Sequence, residues 1–229
     1  LKRLLSWGSD HLTARLESVH RLSLQAPEED FLALLPVLSC FILIAAFPFA
    51  PEIQRLARFD HAVPEARRRR VMAFYYALVQ RHLYVHGAGR TFLSKNVSFT
   101  PMLQSLQAAF PGSRLVVCIR PPEETVPSQI SAMEESWRFF GNVRTTETFD
   151  KHWLELMDYY YRHLADVLPQ IPMRRKVCFE MQELRANVEG CVREVYLCFG
   201  ITLSPQYSEH LKAEGERSLS YRSRHEYSL

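Results

Sequence analysis

The stretch VVCIRPPEETVPS, residues 116–128, runs from apolar residues into an arginine, two prolines and a serine eight positions after the arginine. An apolar run of this length, preceded by the Pro111-Gly112 turn, predicts a buried strand over residues 115–119. A turn alone has no need of a charge at Arg120. In open parallel sheets, ligands bind beyond the carboxyl ends of the strands. A guanidinium placed there matches a phosphate with its planar fork. Residues 125–128 are expected to enter a helix, with Ser128 presenting its hydroxyl near the amino end, where the backbone favours an anion. The competing reading pairs Arg120 with Glu123 or Glu124 and leaves Ser128 as a helix cap.

Upstream, residues 91–94 (TFLS) predict a short strand that ends at Lys95. Thr100-Pro101 predicts an N-cap followed by proline at the first helical position, opening a helix with Met102, Leu103, Leu106 and Phe110 on one face. Strand, helix and strand in that order predict parallel pairing in an α/β sheet. Residues 176–179 (KVCF) are a third strand candidate. Helices are expected over residues 1–24, from Pro64 to Gly87, after Ser128, through Trp153, Leu156 and Met157, and from Val188 to Phe199 before Gly200.

The bulk numbers narrow the class. The chain has 229 residues, 47% of them hydrophobic, which suits one globular domain. A net charge of +3 is too mild to attract nucleic acid by field alone. The run Arg67-Arg68-Arg69-Arg70 reads as the solvated start of a helix. The five cysteines form no Cys-x-x-Cys pair and read as buried free thiols, and neither they nor the nine histidines suggest a metal site. Residues 31–50 carry no charge and are long enough to span a bilayer. Pro36, Pro48 and Pro51 interrupt or bound them, so a buried helix or an apolar pocket wall is preferred over a membrane segment, and a cytoplasmic setting over a membrane one. No signal peptide is visible; Leu1 and the abrupt end at Leu229 are read as the two ends of a fragment.

LSKN followed by FPGSRLVVCIRPPEETVPS resembles the middle of sulfotransferases that use 3′-phosphoadenosine 5′-phosphosulfate. The resemblance covers about residues 25–229 and is most specific over residues 93–128. It implies a three-layer, P-loop-like α/β fold with a parallel sheet flanked by helices, in one domain. It also implies that Arg120 and Ser128 hold the donor's 3′-phosphate and that Lys95 lies near the transferring sulfuryl group. PEEDFLALL resembles a helix start ahead of the acceptor pocket, with Glu28 and Glu29 as candidate bases; a solvated helix start is the alternative. VCFEMQEL resembles the segment that closes over adenine, with Phe179 where a tyrosine is usual. YRSRHEYSL resembles a closing basic loop, whose Arg222 and Ser223 are candidates for the donor's phosphate.

Two departures stand out. The family's first phosphate loop has no counterpart in the chain, and Gly87-Ala88-Gly89-Arg90 does not replace it. No histidine follows Lys95. The implied acceptor is a small molecule, a carbohydrate or a lipid-like hydroxyl or amine, with no metal, no nucleic acid and room for peripheral membrane contact. The other class weighed is a non-catalytic nucleotide-binding or membrane-associated protein that kept the fold.

Overall fold

The structure is a computed structural model and describes residues 29–87, 89–141 and 146–220. The helix expected over residues 1–24 lies outside them. The described residues fall into two compact units, one of residues 29–111 and 129–164, the other of residues 112–128 and 165–220.

The second unit carries the sheet. Strands β1 (Leu115–Ile119) and β2 (Lys176–Glu180) pair in parallel, Leu115 opposite Lys176 and Ile119 opposite Glu180, so their carboxyl ends are level. The chain between them is long and largely helical, as a parallel connection requires. Val177 and Phe179 point to one face of β2 and pack with Cys191 and Phe199. Helix α9 (Val188–Cys198) supplies Cys191 to that core; the Asn187 side chain caps it by accepting from the Gly190 N–H at 2.9 Å. A Cβ on Gly190 would come within 2.2 Å of that amide, so the cap depends on glycine here. Gly200 ends the helix at φ +62°. Helices α8 (Met181–Ala186) and α10 (Pro205–Ser220) complete this unit.

In the first unit the 22-residue helix α4 (Glu65–His86) buries Val71, Met72, Tyr75 and Val79 at helical spacing. Before it lie a 3₁₀ turn (Asp30–Val37) and the short helices α1 (Leu43–Ala46), α2 (Pro51–Leu56) and α3 (Phe59–Ala62). After it come a 3₁₀ turn (Val97–Met102) and helix α5 (Leu103–Ala109). The two long helices α6 (Pro122–Phe139) and α7 (Thr146–Val167) begin in one unit and end in the other. Trp137 of α6 donates to Ile44 O at 3.3 Å, and Phe149, Trp153 and Leu156 of α7 are buried.

Four expectations change. Residues 31–50 form no continuous helix: Pro36, a left-handed Leu38 and Pro48 divide them, and among the described residues no helix is long and apolar enough to cross a membrane. Residues 91–94 join no ladder, and Leu93 is 90% exposed. The cap after Lys95 is Asn96, whose side chain accepts from Ser98 N–H at 3.0 Å, not Thr100. Of the cysteines, Cys40 and Cys191 are buried, whereas Cys118 and Cys178 on the two strands are exposed.

One buried carboxylate organises the first unit. Asp60 accepts from Gln104 N–H at 2.8 Å, from Ser105 N–H at 3.1 Å, from the Ser105 hydroxyl, and from His163 Nε2 at 3.1 Å. It therefore caps the orphan amides of α5 from another helix. A buried charge is tolerable only with such a set of donors.

Leu38 ends the first 3₁₀ turn at φ +49°, with Ser39 N–H on Leu34 O and Leu38 N–H on Leu35 O. Glycine usually holds this position, because a Cβ there is strained by about 1–2 kcal/mol. Leu38 is 65% exposed, so little packing would be lost on truncation. Leu38→Gly is expected to raise stability by about 0.5–1 kcal/mol after glycine's extra chain entropy is subtracted, measured by urea unfolding.

Candidate active site

Two clusters of charged side chains gather the sequence candidates, one in each unit. In the first unit, Glu29 sits at the mouth of the 3₁₀ turn and Asp30 in its first turn. Lys95 Nζ makes an ion pair with Glu29 Oε1; the lysine is 79% exposed and the glutamate 19%. The proposed charge stabiliser and the proposed base thus touch. Glu28 lies outside the described residues.

Asp30 holds this arrangement. Ser94 Oγ donates to Asp30 Oδ1 at 2.8 Å, Asn96 Nδ2 to the same oxygen at 3.2 Å, and the Tyr75 hydroxyl to Oδ2. Residues on both sides of Lys95 are therefore tied to one carboxylate. Tyr75 comes from the middle of α4, with its ring edge-on to Phe99 at 5.2 Å and Phe110 at 5.7 Å. Burial first, and then its bond to the Asp30 carboxylate, push the Tyr75 phenol well above its ordinary range, so it stays a donor. Sequence reasoning placed Asp30 only in an acidic helix start; nothing local marks it as the acceptor for three residues 45 or more positions away.

In the second unit, Arg120 follows β1 directly. Its Nε donates to Glu124 Oε2 at 3.0 Å, the two side chains being 26% and 32% exposed. Gln182 also donates to Glu124, and Arg185 adds its positive field; both stand on α8, which follows β2. Because the strand ends are level, Arg120 after β1 and α8 after β2 leave the same edge of the sheet, where α/β sheets take ligands. Sequence reasoning missed Gln182 and Arg185. Their only signal is that they fall two and five residues past the end of β2.

Four other candidates differ from expectation or lie outside the described residues. Ser128 is not at a helix start, because α6 begins at Pro122 and reaches Ser128 at the end of its second turn. Pro121 O receives the first bonds of this helix, from Glu124 N–H at 3.0 Å and Thr125 N–H at 2.9 Å. Phe179 is 4% exposed and packs in the core beneath β2, so its ring presents no face to an adenine. Arg222 and Ser223 lie outside the described residues. Among the described residues no group of three or more metal-ligating side chains converges.

A family model described as the sulfotransferase family matches residues 11–205. The chain belongs to the sulfotransferase family. No curated protein and no solved structure matches it. Membership implies a P-loop-like α/β fold, and the helix-rich chain with its small parallel sheet accords with that fold.

The Arg120 bond, more than any other cause, holds the Glu124 carboxyl below its usual range. A lowered carboxyl contributes stability above its unfolded value and loses it as pH falls through the folded one. Glu124→Gln in this sulfotransferase is therefore expected to lower the urea midpoint at neutral pH. The gap from wild type should close as the pH is taken below about 4, the ordinary glutamate value. Paired denaturation curves check it.

Proposed function

We propose that this sulfotransferase moves a sulfuryl group from 3′-phosphoadenosine 5′-phosphosulfate to a hydroxyl or amine of a small-molecule, carbohydrate or lipid-like acceptor. The observation that carries the donor assignment is the Arg120 guanidinium directly after β1, at the level carboxyl ends of the two strands. A guanidinium there suits a phosphate, and Glu124, 3.0 Å from its Nε, is the carboxylate a phosphate would compete with. Ser128, half-buried on the second turn of α6, is the family's hydroxyl partner for the same phosphate.

Sulfuryl transfer forms an S–O bond to a hydroxyl acceptor, or an S–N bond to an amine, and breaks the S–O bond to the leaving phosphate. Negative charge accumulates on the sulfuryl and phosphate oxygens, so fixed cations matter more than covalent catalysis. Lys95 supplies such a cation, held beside Glu29 by the ties of Ser94 and Asn96 to Asp30. Glu29 is the carboxylate within reach of Lys95 and takes the acceptor's proton.

Calorimetry with adenosine 3′,5′-bisphosphate against 5′-AMP tests the donor assignment. A preference for the bisphosphate of about tenfold or more is expected, lost in Arg120→Ala. Glu124→Gln, which removes the competing carboxylate, should tighten the bisphosphate by a few fold. Equal affinity for the two nucleotides in a folded chain would overturn the assignment and favour a fold kept without the chemistry.

A further inference from the structure

Helix α4 ends with the sequence RHLYVH, which puts His82 and His86 one turn apart. Residues at i and i+4 face each other on a helix, and two histidines at that spacing are a metal-chelating pair. Both side chains are exposed, and their ring centroids are 4.4 Å apart with an interplanar angle of 37°. A metal bound at about 2.0–2.1 Å from a ring nitrogen sits about 3.2 Å from that ring's centroid. Two such ligands at a square-planar angle bring the centroids to about 4.5 Å, and at a tetrahedral angle to about 5.2 Å. The observed spacing matches the first.

Two further features favour a cation here. His86 is the last residue of α4, so the site lies at the negative end of the helix dipole. Phe92 packs edge-on against the His82 ring at 5.3 Å and limits its rotation. The opposing charge is Arg90, whose side chain lies near Gly87 at the helix end.

We propose that His82 and His86 form a two-histidine site for a late first-row divalent cation of square-planar preference, nickel(II) or copper(II) ahead of zinc, with water completing the coordination. The bound ion cross-links the last turn of α4. Through Phe92 it also braces residues 92–96, the segment that carries Lys95. The site is separate from the sulfuryl chemistry and does not rest on the assigned donor.

The test is titration of the whole chain with nickel chloride, followed by calorimetry and by the thermal unfolding midpoint. Nickel is the probe because copper(II) would oxidise the exposed thiols of Cys118 and Cys178. Alanine is a strong helix former, so His82→Ala and His86→Ala leave α4 folded, which circular dichroism checks. Each single variant should bind nickel about tenfold or more weakly than wild type and lose the rise in midpoint. His210→Ala, at a histidine on α10, should change neither. Unaltered nickel affinity in the His82→Ala/His86→Ala double variant would overturn the proposal, as would a wild-type isotherm no tighter than that of the double variant.

Discussion

The Asp30 carboxylate is the constraint on which the first cluster depends. Residues 91–96 join no ladder among the described residues, so backbone pairing does not fix where Lys95 points. Side chains do it instead. Ser94 and Asn96, on either side of the lysine, both donate to Asp30 Oδ1, and Tyr75 donates to the other oxygen from the interior of α4. Asn96 then uses its carbonyl oxygen to cap the following 3₁₀ turn. One acidic side chain thereby couples three segments of distant sequence, and Glu29 beside it meets Lys95 as a consequence.

Both cationic candidates are engaged with a carboxylate, Lys95 with Glu29 and Arg120 with Glu124. Lys95 is 79% exposed, and Arg120 and Glu124 are 26% and 32% exposed, so water screens both pairs and their contribution to stability is modest. Their value lies in position. A cation held by a neighbouring acid keeps its place, and an arriving anion exchanges one partner for another instead of ordering a loose side chain. The same acids lower the net charge of each cluster, which tempers its attraction for anions in general.

Much of the sheet was legible in the sequence. The strands over residues 115–119 and 176–179 are short apolar runs with clear stops, and both form, in parallel. Residues 91–94 look equally strand-like, but Ser94, Lys95 and Asn96 spend their polar groups on Glu29 and Asp30, and Leu93 is left in solvent. Ser128 was misplaced because prolines at 121, 122 and 127 read as loop, whereas Pro122 takes the first turn of α6, where a missing N–H costs nothing. Asp60 and His163 were not singled out. A buried carboxylate that caps a helix 44 residues away leaves no local periodicity to detect. Gln182 and Arg185 needed the register of β1 against β2, which no single segment contains.

The most direct test of the account is amide hydrogen exchange over residues 94–98 in wild type and in Asp30→Asn. If the Asp30 carboxylate fixes the segment that carries Lys95, its loss should accelerate exchange there by about tenfold or more, while strand β2, paired with β1, keeps its protection. Equal protection of residues 94–98 in the two proteins would contradict the account, because something other than Asp30 would then be holding Lys95 in place.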